Sequence, residues 1–528
     1  MKISVCQTAP KVGAIKENSR IIREAYVKSQ QDGSDICVFP ELCITGYLAE
    51  DLFFKRDFIN QAENYAKKLI EGTLQTCLLL PTILFENDCL YNVVIAGQNG
   101  KIIGITYKTE LPNHGVFDER RYFTSGKPNI ITVNSVKIGV PICEDIWQPS
   151  VCIDLKRQGA ELLIVPNASP YEKNKLDNRV KIVSTRYKET LLPIIYCNQS
   201  LAHDGIIFDG RSFVYDGELK IVGKDFATDA ITIEYKNKKL ITNNSYPKIE
   251  NIYEEILKAT ILGLKEYVQD SGFKKVIIGL SGGVDSAVVC YIATKALGNK
   301  NVLCYMLPSK FTSQESQDDA ELLAKNLNIS LKSLPIQNTV DEFEKTLCTI
   351  EKVDKSSITY QNLQSRTRGT VLMGLANDLG ALLITTGNKS EYATGYATIY
   401  GDMNGAFNPI KDLYKTEIFA LAKYINLQSE IIPANIINKP PSAELAPNQK
   451  DSDSLPDYYI LDKILYQFIE NLSNPELLYS EFDKVIVDKV YKLLKNSEFK
   501  RFQSAPGVKI SSMHFDKDRR FPITNFYI

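Results

Sequence analysis

The sequence predicts two α/β domains in tandem: a layered sandwich of strands and helices, then a doubly wound parallel sheet. Three observations carry this. The first half is dense in short apolar runs broken by hairpin turns and helical stretches. The second half alternates more regularly between strand and helix patterns, the signature of a parallel sheet. Between them, KNKKLITNNSYPKIE (236–250) is polar, carries Asn-Asn and a Pro, and lacks periodicity, which marks a linker. The expected domains are therefore 1–235 and 251–528, the second ending in a basic tail.

In the first half, DICVF, TCLLLPTIL, KIIGITY, VKIGVPI, ELLIVP and LPIIYC read as strands. Asn99-Gly100 and Asp216-Gly217 each separate two such runs and signal hairpins. Helical patterns fall around 15–30 and 57–70. In the second half, KKVIIGL precedes a helix at 286–297 and VLCYMLP precedes one at 315–327. LKSLPI and ALLITT follow, separated by long helical patterns.

Composition narrows the function classes. The chain has 528 residues, 44% hydrophobic and 24% charged, which suits a soluble globular protein of several domains. A formal net charge of −1 gives no basic excess for nucleic acid and no acidic tail. No charged leader precedes an apolar run at the N-terminus, and no run approaches the roughly 20 apolar residues a membrane span needs. Eleven cysteines, without a C-x-x-C pair, argue for a reducing compartment, so a cytoplasmic location is expected. Three histidines, His114, His203 and His514, are too few for a histidine-rich metal site.

Three reactive residues each follow a predicted strand: Glu41 after DICVFP, Lys108 at the close of KIIGITYK, and Cys143 after VKIGVPI. Strand ends can bring them to one rim of a sheet. Their chemistry suits an amide. A thiolate attacks the carboxamide carbon and ammonia leaves; a carboxylate carries the proton; an ammonium favours the thiolate and the developing oxyanion. The N–H of Glu144 can complete the oxyanion hole.

The words FPELCITGY, YKTELPN and GVPICEDIW, in this order, resemble the nitrilase or carbon–nitrogen hydrolase family over residues 1–230. The resemblance implies an αββα sandwich and a Glu-Lys-Cys triad at Glu41, Lys108 and Cys143, with Glu119 of FDERRYF as a further carboxylate. LPNHGVFDERRYF and NASPYEKNK are similar to the glutaminase domains of NAD synthetases. That likeness implies glutamine contacts at Ser169 and Lys175, and at His114, where the family more often has Tyr.

A second site follows the strand KKVII. In GLSGGVDS, Gly279, Leu280, Ser281, Gly282, Gly283, Val284, Asp285 and Ser286 lead from strand to helix. Glycines allow close backbone approach, and successive N–H groups at a helix start suit phosphate. The word is neither a kinase-type P-loop nor G-x-G-x-x-G. Asp285 suits Mg²⁺ binding, though Asp also suits capping the helix that follows.

S-G-G-x-D-S resembles the pyrophosphate loop of the ATP pyrophosphatases, whose sheet is of the adenine-nucleotide alpha hydrolase type. QNLQSRTRG, TTGNKSEYATGYATIYGDMNGAF, IKDLYKTEIFALA and KPPSAELAPNQKDSDSLPDYYILD resemble the NAD synthetase family, so the whole chain looks like its glutamine-dependent branch. This implies ATP contacts at Thr386 and deamido-NAD contacts at Asn362, Glu391 and Lys500. It implies Mg²⁺ on Asp285 and Glu391, and a homo-oligomer. The basic side chains Lys500, Arg501, Lys509, Lys517, Arg519 and Arg520 suit an anionic dinucleotide or another subunit's phosphates. Ammonia is protonated at pH 7, so a shielded passage is expected. SGGVDS alone would also allow an amidotransferase with another acceptor, such as GMP or a tRNA base. PPSAEL and GDMNGAF argue against that, and the intact Glu41, Lys108, Cys143 and Asp285 argue against a scaffold with decayed sites.

Overall fold

Strand β1 (Lys2–Gln7) turns Ile3 and Val5 to one face and Cys6 to the other, and this period of two sets the architecture. It is followed by α1 (Ile15–Gln31), β2 (Ile36–Val38), α2 (Arg56–Glu71), β3 (Cys77–Glu86), β4 (Cys89–Gln98) and β5 (Lys101–Tyr107). Then come β6 (Ile130–Val133), β7 (Val136–Gly139), α3 (Pro149–Arg157), β8 (Leu162–Asn167), α4 (Lys175–Thr190) and β9 (Ile194–Asn198). A hairpin of β10 (Ser200–His203) and β11 (Ile206–Asp209) follows, then β12 (Phe213–Tyr215), β13 (Leu219–Ile221), β14 (Asp229–Lys236) and β15 (Lys239–Ile241). The computed structural model describes residues 1–526; the last two residues of the expected second domain lie outside the described residues.

The first unit, Met1–Glu250, contains one sheet of order β15-β14-β1-β2-β3-β4-β5 and another of order β13-β12-β9-β8-β7-β6. Ile36, Val38, Leu79 and Val94 of the first sheet share a core with Ile138, Leu162, Ile164 and Ile195 of the second. The alternate residues of the first sheet, Cys37, Leu78, Leu80 and Val93, pack with Ile22, Tyr26, Ile59 and Ala66 of α1 and α2. Those of the second, Leu163, Val165 and Tyr196, pack with Cys152, Leu155 and Val183 of α3 and α4. The layers are thus α, β, β, α. Asn99 and Gly100, both at positive φ, turn β4 into β5, and Asp216-Gly217 lies in the turn from β12 to β13. Part of the segment expected as a linker is instead structural. Residues 239–241 form β15, antiparallel to β14, and Leu240 is buried in the sandwich core. Its polar sequence is that of an edge strand with one inward residue.

The second unit, Asn251–Ile528, opens with α5 (Ile252–Asp270), β16 (Val276–Gly279), α6 (Val284–Leu297), β17 (Val302–Met306), α7 (Gln314–Leu327) and β18 (Ser330–Ser333). It continues with α8 (Gln337–Cys348), α9 (Ile358–Leu379), β19 (Leu382–Ile384), α10 (Lys389–Thr394) and α11 (Lys415–Ile425). Its four strands run parallel in the order β18-β17-β16-β19. Ile277 and Leu383 face α8 and α9 through Val340 and Ala376. Helix α6 is buried on nearly every side, because it lies against β16 and β17 and is covered by α5, α7 and α11. The chain leaves β16 toward β17 on one side and returns as β19 on the other. This topological switch places the crevice beyond the carboxyl ends of β16 and β19.

No cysteine is disulfide-bonded: nine are buried, Cys89 is half-buried and Cys348 is exposed.

Candidate active sites

In the first unit, the segments that follow β2, β5 and β7 carry the three expected residues. Glu41 follows β2, Lys108 follows β5, and Cys143 opens a short 3-10 turn after β7. Glu41, Lys108 and Cys143 are 0%, 1% and 4% exposed. Lys108 Nζ donates to Glu41 Oε1 at 2.6 Å and to Glu119 Oε1 at 2.7 Å. Asn92 Nδ2 donates to Glu41 Oε1, the Ala168 N–H donates to Glu41 Oε2, and the Tyr47 hydroxyl donates to Glu119 Oε1. Glu119 Oε2 is buried without a hydrogen-bond partner.

Burial opposes the charge on Lys108, but the carboxylates of Glu119 and Glu41 outweigh it and hold the amine above its ordinary pKa, as ammonium. Burial pushes Glu119 up to about 7, against the pull of Lys108. Two carboxylates and one ammonium therefore share a dry site that favours one extra proton. Burial, then Glu41, raise the Cys143 thiol, while Lys108 and the Ala168 N–H oppose the rise. Cys143 adopts φ 46°, uncommon for a residue with a side chain and a form of strain that collects at functional positions. As the second residue of its turn, Glu144 has an N–H without an intrahelical acceptor, free for an oxyanion.

Ser169 is buried, with its N–H on Asn198 Oδ1 and its Oγ accepting from Arg179 Nε. Lys175 donates to Glu172 and lies over the Trp147 ring. Burial raises the hydroxyl of the buried Tyr196, with Cys143 adding to the rise and Arg179 and Ser169 opposing it. His114 is different: its side chain is 68% exposed, 3.5 Å from Glu144 and edge-on to Phe117. It stands at the rim, not among the buried groups. The sequence words led to Glu119; nothing in them marked Tyr47, Asn92 or Ala168.

In the second unit, GLSGGVDS turns from β16 into α6 at the switch point. Gly282 has φ 81°, and a β-carbon there would lie 2.2 Å from the Ser316 carbonyl oxygen, so glycine is required twice over. Ser281 and Ser286 brace the loop: Gly283 N–H donates to Ser281 Oγ, and Ser286 Oγ donates to the Gly283 carbonyl. Thr386 stands just beyond β19, half-buried on the other side of the crevice. Asp285 is not a cap, since Gly283 holds that position. Its Oδ1 accepts from Asn388 Nδ2 at 2.9 Å and its Oδ2 from Lys415 Nζ at 2.5 Å. Lys415 also reaches Glu391 Oε1 at 3.5 Å. Asn388 caps α10 through the Glu391 N–H, so one amide touches both expected metal ligands' frames. Burial raises Glu391 to about 8 despite Lys415.

The expected dinucleotide contacts gather on one loop. Thr398 Oγ1 donates to Asn362 Oδ1, and Lys500 Nζ caps the carbonyls of Gly395 and Ala397 just past α10, which carries Glu391. Three other cations of the tail, Arg501, Lys509 and Arg519, depart from expectation. Arg501 donates to the carbonyls of Tyr392 and Ala393, Lys509 pairs with Asp518, and Arg519 pairs with Glu498. These cations are buried and must be paired inside the fold, so they are not available to an external phosphate.

Comparison with known proteins agrees with the two-part design. The carbon–nitrogen hydrolase family model matches residues 2–234, and the NAD synthase family model matches residues 256–504. The glutamine-dependent NAD(+) synthetase of Thermotoga maritima is 39% identical over 99% of this chain and 98% of its own length. That of Rhodobacter capsulatus is 39% identical with the same coverage. A solved glutamine-dependent NAD+ synthetase from Acinetobacter baumannii, in complex with ADP, is 36% identical with a TM-score of 0.81, covering 99% of this chain and 98% of that one. With the two family models matching in this order and relatives matching end to end, this chain belongs to the glutamine-dependent NAD(+) synthetases.

Proposed function

We propose that the chain amidates deamido-NAD to NAD, using ATP for activation and glutamine as nitrogen donor. The single observation that carries this reading is the sealed Glu41–Lys108–Glu119 cluster around Cys143, in one chain with an SGGVDS loop at a switch point. In the first unit, residues 1–235, the Cys143 thiolate attacks the glutamine carboxamide. The C–N bond breaks, ammonia leaves with a proton delivered by Glu41, and water cleaves the thioester to glutamate. Lys108 and the Glu144 N–H support the oxyanion. Ser169 and Lys175 hold the amino-acid end, with His114 at the rim.

In the second unit, residues 251–528, the nicotinate carboxylate attacks the α-phosphorus of ATP. Pyrophosphate leaves into the loop of residues 279–286, and Thr386 contacts the nucleotide. Asn362, Glu391 and Lys500 hold the dinucleotide. Ammonia then displaces AMP. Asp285 and Glu391 outnumber the single Lys415 ammonium between them, and two carboxylates 16% and 17% exposed beside a phosphate loop are a donor set that fits Mg²⁺. That ion would neutralise charge on the leaving pyrophosphate. We further propose a cytoplasmic homo-oligomer acting on small molecules, without nucleic acid or membrane partners; among the described residues no helix is long and apolar enough to cross a membrane.

The test is a panel of acceptors, deamido-NAD, GMP and tRNA, each with ATP and glutamine or ammonia. NAD and AMP should form in equal amounts with deamido-NAD alone. Amidation of GMP or tRNA instead would sink the assignment of the acceptor.

A further inference from the structure

The strained turn at Cys143 needs something to hold it, and the structure shows what does. Asp145, two residues on, is fully buried. Its Oδ2 accepts the Ile142 N–H at 2.9 Å, and its own N–H donates to the Ile142 carbonyl, so the turn closes on both sides of Cys143. Its Oδ1 reaches a different element and accepts the N–H groups of Thr109 at 3.0 Å and Glu110 at 2.7 Å. These directly follow Lys108. Burial pushes the Asp145 carboxyl up to about 7, while the Glu110, Ile142 and Thr109 N–H groups and the Lys108 charge oppose the rise and favour the ionised form, whose two acceptor oxygens and absence of a donor suit all three N–H groups. A neutral amide would aim its NH₂ at one of them.

We propose that Asp145 is the positioning residue of the glutamine-hydrolysing site: one carboxylate ties the turn bearing Cys143 to the segment bearing Lys108, fixing thiol against ammonium. It touches no substrate and acts through those two side chains. The proposal rests on the reading of Cys143 as nucleophile. Displacing a reacting group by about 1 Å can cost on the order of 100-fold in rate, which sets the expected scale.

The experiment uses the full chain with Asp145→Asn and Asp145→Glu, alongside Cys143→Ala. Three quantities are read: kcat and KM for glutamine, ammonia-dependent NAD formation, and the pH profile of Cys143 alkylation by iodoacetamide, followed on its peptide by mass spectrometry. For both Asp145 variants, kcat with glutamine should fall about 100-fold. KM should change little, ammonia-dependent synthesis should persist, and alkylation should shift to higher pH. Retention by Asp145→Glu would assign the effect to charge and overturn positioning. Wild-type kcat and an unmoved alkylation profile in Asp145→Asn would overturn it as well. Should Cys143→Ala keep glutamine-dependent activity, the nucleophile reading fails instead. If the near-ultraviolet circular dichroism of the Asp145 variants shows a lost fold, Glu110→Pro removes one of the three N–H donors and leaves the carboxylate. It should then reproduce the alkylation shift with a smaller loss, about tenfold, as for one hydrogen bond to a charged group; a wild-type profile there overturns the proposal.

Discussion

The two sites are built on the same charge formula, two carboxylates around one lysine, and differ in access to water. In the first unit Glu41 and Glu119 flank Lys108, with side-chain exposures of 0%, 3% and 0%. In the second, Asp285 and Glu391 flank Lys415, with exposures of 16%, 17% and 5%. Burial raises one carboxylate in each cluster, Glu119 to about 7 and Glu391 to about 8, so each cluster favours a proton. A partly exposed cluster beside a phosphate loop can take a metal ion as well as a proton. The contrast teaches that the two clusters, alike in residue type, are set apart by solvent access.

The largest effect that tests this contrast is at Cys143. Cys143→Ala should cut glutamine-dependent synthesis by at least about 10³-fold and leave ammonia-dependent synthesis largely intact. Loss of both in a folded variant would break the division between the units. Next is Asp285→Asn, expected to lower turnover about 10²-fold with either nitrogen source and raise the Mg²⁺ requirement, while thioester still forms at Cys143. Wild-type turnover at limiting Mg²⁺ would remove Asp285 from the metal.

A smaller effect sharpens the sealed side. Glu119 has its pKa raised to about 7 from an ordinary 4.5, so the folded state holds a proton that the unfolded state has lost. Its contribution to stability is full below 4.5 and is lost as pH rises to about 7. Glu119→Gln should flatten the melting temperature against pH over that window and erase a matching inflection in glutamine-dependent kcat, with about tenfold lower activity. An unchanged profile would place the proton elsewhere. The smallest effect is at the exposed rim. His114→Ala should move KM for glutamine by no more than about fivefold, the scale of an exposed charge pair; a larger rise would bring His114 into the pocket.

Strand ends made much of this readable from sequence. Glu41, Lys108 and Cys143 each follow an apolar run, and SGGVDS bridges a strand and a helix, so local pattern already places them on functional rims. Glu119 needed a longer word, because it sits in an irregular segment. Asn92, Tyr47 and the Ala168 N–H were invisible: they act through contacts between segments 51, 72 and 127 residues apart, which no local pattern encodes. Lys415 was likewise missed, as the first turn of an amphipathic helix ordinarily faces solvent. Part of the basic tail, Arg501, Lys509 and Arg519, misled for the converse reason. Its charge is plain in the sequence, but its partners, Glu498, Asp518 and the carbonyls of α10, appear only when the chain is folded. The polar stretch 236–250 hid β15 because an edge strand buries only one residue in two.

Burial of the thiols has a consequence for how the molecule ages. Oxidants act on accessible sulfur, and among the described residues Cys348, at the end of α8, is the one exposed cysteine. Cys143 is buried, and burial raises its thiol while Lys108 opposes the rise. Cys348 is therefore the sulfur that oxidants meet most readily, and it is remote in sequence from the Cys143 turn.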